Sequence, residues 1–289
     1  MKLKHLVIAS AFLFASLFCA EKSTEKPADK LTGKVKAVKV WETEPVLQTS
    51  ESVMYDTVNK VLYVSCINGQ PTGKDGNGYI ARIGLDGKVL TQKWVTGMDA
   101  PKGMGITGSR LYVTDIDRVH EIDIEKAKII STYNAKGAKF LNDIAIDETG
   151  KVYISDMDTN KIYVLSGGKL EVWLNSKYKN VNGMLYRKGL LLAGSEQGIV
   201  FINMADKKET LGVKNSGGID GLKMLAENRF IVSDWAGKTS VIGDMPDVLL
   251  NTSAQKINSA DFEYIPEKKF LLIPTFFHNT VACYRLEQQ

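Results

Sequence analysis

One pattern recurs six times along this chain. A short apolar strand opens on a single residue, a turn follows, and a second, richer apolar strand returns. The copies begin at Glu51 (ESVMYDTVNKVLYVS), Lys102 (KGMGITGSRLYVTD), Asn142 (NDIAIDETGKVYISD), Asn182 (NGMLYRKGLLLAG), Asp220 (DGLKMLAENRFIVSD) and Ala260 (ADFEYIPEKKFLLIPT). Successive starts lie 51, 40, 40, 38 and 40 residues apart. A third strand follows in most copies, as in NKIYVL from Asn160 and GIVFIN from Gly198, and then a more polar fourth, as in KLEVWL from Lys169. Turn signals recur every eight to twelve residues and no long helical period appears.

Four strands per repeat at a period near forty predict an all-β, six-bladed β-propeller with four-stranded antiparallel blades. The sixth copy ends after its third strand. The alternating segment Lys34–Trp41, ahead of the first copy, is expected to supply the missing outer strand and close the ring, which removes open edges. The long first interval comes from a Gly-rich insertion, Cys66–Ile80, expected as a surface loop over one end of the ring. Its GQPTGKD has neither the spacing nor the following helix of a phosphate-binding loop.

The remaining composition bounds function. The 289 residues, 44% hydrophobic, suffice for one large core. The formal net charge is +4, and Lys2 and Lys4 supply part of it, so the propeller is close to neutral and no nucleic-acid partner is expected. Residues 1–19 read as a signal peptide: a basic start, then the apolar run Leu6–Phe18, too short to span a membrane. SLFC, ending in Cys19, resembles the lipobox of bacterial lipoproteins, so Cys19 is the expected lipidation site. Phe18 stands where a small residue is usual, which leaves plain cleavage near Ala20 as the alternative. Residues 20–36 read as a hydrophilic tether and 37–289 as the propeller. The expected product is a monomer exported to the bacterial cell envelope, facing the periplasm or surface, that meets the membrane only through a lipid anchor. Cys66 and Cys283 read as two buried thiols.

In a propeller the residue that opens each innermost strand lies at one end of the central channel. Here those residues are Glu51, Lys102, Asn142, Asn182, Asp220 and Ala260. A water-filled structural channel accounts for one or two polar groups there. Glu, Asn, Asn and Asp together form a set of hard oxygen ligands that suits Ca2+ and not zinc. Of the histidines outside the leader, His120 reads as structural, and His278, after Phe276 and Phe277, as either structural or a substrate contact.

Four segments carry a family resemblance: ESVMYDTVNKVLYV, NDIAIDETGKVYISDM, VNGMLY and IDGLKM, in order and at blade spacing. They resemble motifs of the regucalcin/gluconolactonase (luciferin-regenerating enzyme-like) propellers over about residues 40 to 287. The resemblance implies a divalent cation, Ca2+, held by Glu51, Asn182 and Asp220. Asn142 would complete the shell or orient substrate, and Asp220 would double as general base. Val53 and Val181 stand where the family has proline, and Lys102 places an ammonium beside the implied cation. Lys102 turns away, or acts as an electrophile towards a substrate oxygen, or replaces the metal.

Two functions follow. The first is a calcium-dependent hydrolase of a lactone or related ester, a small-molecule substrate. The cation would polarise the carbonyl and Asp220 would activate water, with Lys102 as the second catalytic candidate. Trp235, Phe276, Phe277 and the Cys66–Ile80 loop would wall the cleft, with His278 in reach of substrate. The second is a non-catalytic envelope propeller that binds a protein or glycan partner, since fold alone does not fix function.

Overall fold

A computed structural model describes residues 31–214 and 217–289. The expected signal peptide, residues 1–19 with Cys19, lies outside the described residues. Six four-stranded antiparallel sheets form a ring. Blade one contains Ser50–Asp56, Val61–Cys66, Gly78–Gly84 and Val89–Met98. Blades two to five repeat the plan, their first strands being Pro101–Thr107, Leu141–Ile146, Met184–Arg187 and Leu222–Ala226. Blade six contains Glu263–Ile265, Phe270–Pro274 and Val281–Gln288. Its outer strand is Val35–Glu42, paired antiparallel with Val281–Gln288 from Val35↔Gln288 to Glu42↔Ala282. The ring is closed by the chain's first described strand, as the repeat count requires.

The ordered chain begins earlier than residue 37. Leu31 is buried in the core between blades five and six, beside Val35 and Phe262. The Arg229 guanidinium donates to Leu31 O at 2.9 Å and Gly33 O at 2.8 Å. Residues 31–36, expected as tether, therefore pack on the ring, where a buried arginine needs those carbonyl acceptors.

The second strands are buried on both faces, successive side chains packing towards opposite neighbouring blades, whereas the outer strands bury alternate side chains. Six hydrophobic clusters result, one at each blade interface. Tyr63, Met104 and Leu111 pack between blades one and two, and Tyr153, Met184 and Leu191 between three and four. Cys66 and Cys283 are free thiols in the cluster joining blades six and one. Burial pushes each of them up to about 12. His120 is structural: its ring bridges Asp115 and Thr132 at 2.9 Å each.

The innermost strands crowd one another along the axis. A Cβ on Gly183 would lie 2.2 Å from Asp220 O, and one on Gly103 2.5 Å from Asn142 O. A Cβ on Gly221 would meet the Phe262 ring at 2.6 Å. These are the residues that follow the mouth position in blades two, four and five. We expect Gly183→Ala to destabilise the fold by about 1–3 kcal/mol through overpacking against backbone. Gly218→Ala, where nothing lies within 4 Å, should be near neutral. Urea unfolding of the two variants checks this. A chain starting at Leu31 should melt like the full chain. One starting at Thr43, without the closing strand, should lose several degrees or fail to fold.

Candidate functional site

The mouth residues sit where the inner hairpins lose regular pairing. Register shifts occur between Ser50 and Ser52, between Pro101 and Met104, and between Leu141 and Ile144. Glu51, Lys102 and Asn142 fall inside those shifts. Bulges of this kind re-aim a side chain, here those of Glu51 and Asn142 towards the axis. In blades four and five Asn182 and Asp220 precede the strand itself. Their N–H groups donate to Gly194 O at 3.0 Å and Ser233 O at 2.9 Å. In blades one, three and five a hydroxyl at the end of the second strand secures the irregular stretch. Ser65 Oγ accepts from Ser52 N–H, Ser155 Oγ from Asp143 N–H, and Ser233 Oγ from Gly221 N–H. Thr114 donates to Asn142 O at 2.6 Å, linking blades two and three.

The five polar mouth residues, Glu51, Lys102, Asn142, Asn182 and Asp220, line one cavity of about 500 Å³, and Glu51, Asn142, Asn182 and Asp220 form its floor. All five are buried. Asn182 Nδ2 donates to Asp220 Oδ1 at 2.9 Å. Three acceptor oxygens on the floor, Glu51 Oε2, Asn142 Oδ1 and Asn182 Oδ1, are buried with no hydrogen-bond partner among the described residues. Unpaired buried acceptors are costly. Burial, reinforced by the Asp220 charge, holds the Glu51 carboxyl well above its ordinary range. Burial and then the nearby Asp261 carboxylate push Asp220 up to about 7.

Lys102 points away from that floor. Only 1% of it is exposed. Its ammonium donates to Pro71 O at 2.8 Å and Ala100 O at 2.9 Å and lies 4.6 Å from the centre of the Phe140 ring. Among the described residues no ion pair joins it to Glu51 or Asp220. Burial lowers its pKa to about 8, against the pull of Glu51. The Pro71 contact fastens the Gly-rich loop over the cavity. Gly76 N–H to Asp99 Oδ1 at 2.9 Å and the Lys74–Asp117 ion pair fasten its outer part to blade two.

Of the remaining sequence candidates, Trp235 and Phe276 line the cavity. Phe277 lies behind both, its ring 6.2 Å from Trp235 and 4.7 Å from Phe276. His278 does not line it. It is half-exposed, with Nε2 3.9 Å from Glu42 Oε1. The reversal Thr275–Asn279, with Phe276 N–H bonded to Ser50 O and His278 N–H to Thr275 O, carries it outside. The Cys66–Ile80 loop contributes Ile67 and Pro71 to the lining, and sequence reasoning missed Phe140, Met157 and Asp234, which also line the cavity. A usable signal was present. Antiparallel hairpins bring the residue after each second strand to the same end as the mouth position. Ile67, Met157 and Asp234 are those residues in blades one, three and five.

No family model and no curated protein matches this chain. Among solved structures it is similar to virginiamycin B lyase from Staphylococcus aureus, in a crystal structure of a catalytically inactive variant with quinupristin. The TM-score is 0.57 at 12% identity, over 87% of this chain and 99% of that one. The likeness is one of fold: both chains are propellers.

Among the described residues no three His, Cys, Asp or Glu side chains gather closely enough to hold a metal by themselves. The floor instead combines two carboxylates with two amides, and its unpaired atoms are all acceptors. That donor set fits a hard cation that takes oxygen ligands. The metal-free protein carries the cost of these acids in its pH dependence. A carboxyl whose folded pKa is raised holds its proton in the folded state. Its contribution is fully present below the unfolded value, near 4, and is lost as pH rises through the folded value, about 7 for Asp220. In chelator, the melting temperature should fall between about pH 4 and pH 7, and Asp220→Asn should flatten part of that fall. Calcium should raise the melting temperature more at pH 8 than at pH 5. Differential scanning calorimetry across that range checks all three outcomes.

Proposed function

We propose that this propeller is a calcium-dependent hydrolase of a lactone or related ester, of the regucalcin/gluconolactonase kind. One observation carries the reading: three buried, unpaired acceptor oxygens, from Glu51, Asn142 and Asn182, face one cavity floor beside Asp220. Glu51, Asn142, Asn182 and Asp220 would hold the cation. When bound, the cation would act as a Lewis acid towards the ester carbonyl oxygen.

The chain's own groups do the rest. Asn182 Nδ2 fixes one oxygen of Asp220 and leaves Oδ2 without a partner among the described residues. That oxygen is the general base that takes a proton from attacking water. Ile67, Phe140, Met157, Trp235 and Phe276 exclude bulk water and orient the apolar part of the substrate. Lys102 holds a positive charge in the wall and keeps Pro71 in place. The lipid-anchored envelope location expected from Cys19 is part of the same proposal and is tested separately, by labelling with a radioactive fatty acid.

The decisive experiment is elemental analysis of the purified protein with a lactone and ester panel, with and without chelator. Hydrolysis should disappear with chelator and return with calcium. Asp220→Asn should lower kcat by about 10² or more, and Asp220→Ala should lose both calcium binding and hydrolysis. Undiminished calcium binding in Asp220→Ala would sink the ligand assignment. No bound metal, no thermal shift with calcium and no hydrolysis would leave the non-catalytic binding propeller as the better reading.

A further inference from the structure

One side of the cavity has chemistry that the proposed reaction does not use. Its carboxylates are Glu51, Asp220 and Asp234, against the single ammonium of Lys102. Glu51 and Asp220 belong to the proposed cation. Lys102 is already engaged by two carbonyls and the Phe140 ring. Asp234 remains. Its backbone N–H donates to Lys238 O at 2.9 Å, and its Oδ1 accepts from Lys238 N–H at 3.0 Å. Its carbonyl accepts from Ser259 Oγ at 2.8 Å. The residue is therefore held in place, and Oδ2 has no partner among the described residues.

Beside it stand three aromatic rings, each nearly perpendicular to the other two. Trp235 and Phe276 meet at 83° with centroids 5.6 Å apart, Trp235 and Phe277 at 83°, and Phe276 and Phe277 at 89°. Trp235 is 49% exposed although it borders a cavity. Its backbone is anchored through Asn258 Nδ2, which donates to Trp235 O at 2.8 Å. Phe276 is buried and sits at φ 52°, a conformation that bulky residues rarely adopt. It is held there by its N–H to Ser50 O and by Asn279 N–H to its own carbonyl. Strain of this kind persists where the surroundings over-determine it, and it clusters at binding sites. A corner of rigid ring faces with an unspent carboxylate oxygen is the arrangement that takes an organic cation, whose charge is attracted by ring faces and matched by the acid.

We infer that Trp235, Phe276 and Asp234 form a subsite for an alkylammonium or quaternary ammonium group, so that the substrate is an ester or lactone bearing an organic cation. The catalytic part of this inference rests on the hydrolase reading, whereas the binding part is measured without any metal. The experiment is calorimetric titration of the full chain in chelator with choline and with 3,3-dimethyl-1-butanol, an uncharged molecule of the same shape. Choline should bind at least fivefold tighter. Trp235→Leu, which keeps apolar area but removes the aromatic face, should weaken choline about tenfold and change the alcohol less than twofold. Asp234→Asn should act in the same direction. Melting temperatures of both variants should stay at the parent value, since Trp235 is half-exposed. Equal affinity for the two probes, no binding of choline, or unchanged choline binding by Trp235→Leu would overturn the subsite. Asp220→Asn separates the two claims: it should lose calcium and keep choline. Loss of calcium binding in the parent protein with choline selectivity intact would overturn the hydrolase reading alone.

Discussion

Six inner strands converge on one axis, and their closeness decides most of what else the ring can contain. Between blades four and five there is no room for a Cβ, because Asp220 O would lie 2.2 Å from one on Gly183. Crowding at that level forces the strands out of regular pairing near the mouth. The unpaired backbone groups are then satisfied by serine and threonine hydroxyls from the second strands. Irregular pairing in turn aims Glu51 and Asn142 at the axis. The site is a consequence of ring closure, not an addition to it. Asp143 shows the same logic where glycine is missing. Its Oδ1 accepts from Ile144 N–H at 2.6 Å, and its Oδ2 reaches across to Met184 N–H at 2.5 Å, tying blade three to blade four.

Below the floor the channel carries a second set of charges. Asp143, Asp261 and Glu263 surround Lys223. Burial works against the Lys223 ammonium, but the carboxylates of Glu263, Asp261 and Asp143 outweigh it and raise its pKa. Burial raises all three acids despite their lysine. Ser52 Oγ donates to Asp261 Oδ2 at 2.6 Å, while Asp261 Oδ1 has no partner among the described residues. Acids thus outnumber cations at both levels, and removal of charge from water is expensive unless it is compensated. At the upper level the excess is concentrated on Glu51 and Asp220, where the acceptors are unpaired. Asp220 feels both levels, since burial and then the Asp261 carboxylate below it raise its carboxyl.

Much of the architecture was legible in the sequence, because a forty-residue period leaves few folds to choose among. The closing strand followed from counting, since a sixth copy with three strands needs a fourth from elsewhere. The mouth positions followed from the repeat register. Three things were not legible. Leu31 looked like tether because its neighbours are charged, and only the position of Arg229 explains its burial. His278 follows two cavity aromatics in sequence, but the reversal at Thr275–Asn279 turns it towards Glu42. The direction of Lys102 depends on Pro71, thirty-one residues upstream in the insertion, which no strand pattern locates. Each miss is a side-chain direction set by a distant backbone group, which periodicity does not encode.

Lys102 also changes how the insertion is understood. A buried ammonium needs acceptors, and here two are backbone carbonyls, one from its own blade and one from the loop. If the loop left, the ammonium would lose one of its two hydrogen bonds and would turn to the remaining strong acceptor field, that of Glu51. An ammonium on Glu51 would compete with any cation held on the floor. The loop contact therefore does two jobs with one bond. It closes the cavity on the blade-one side, and it keeps the only cavity lysine off the carboxylates. The extra residues of blade one are thus coupled to the chemistry of the floor through a single side chain, although Pro71 belongs to the cavity wall.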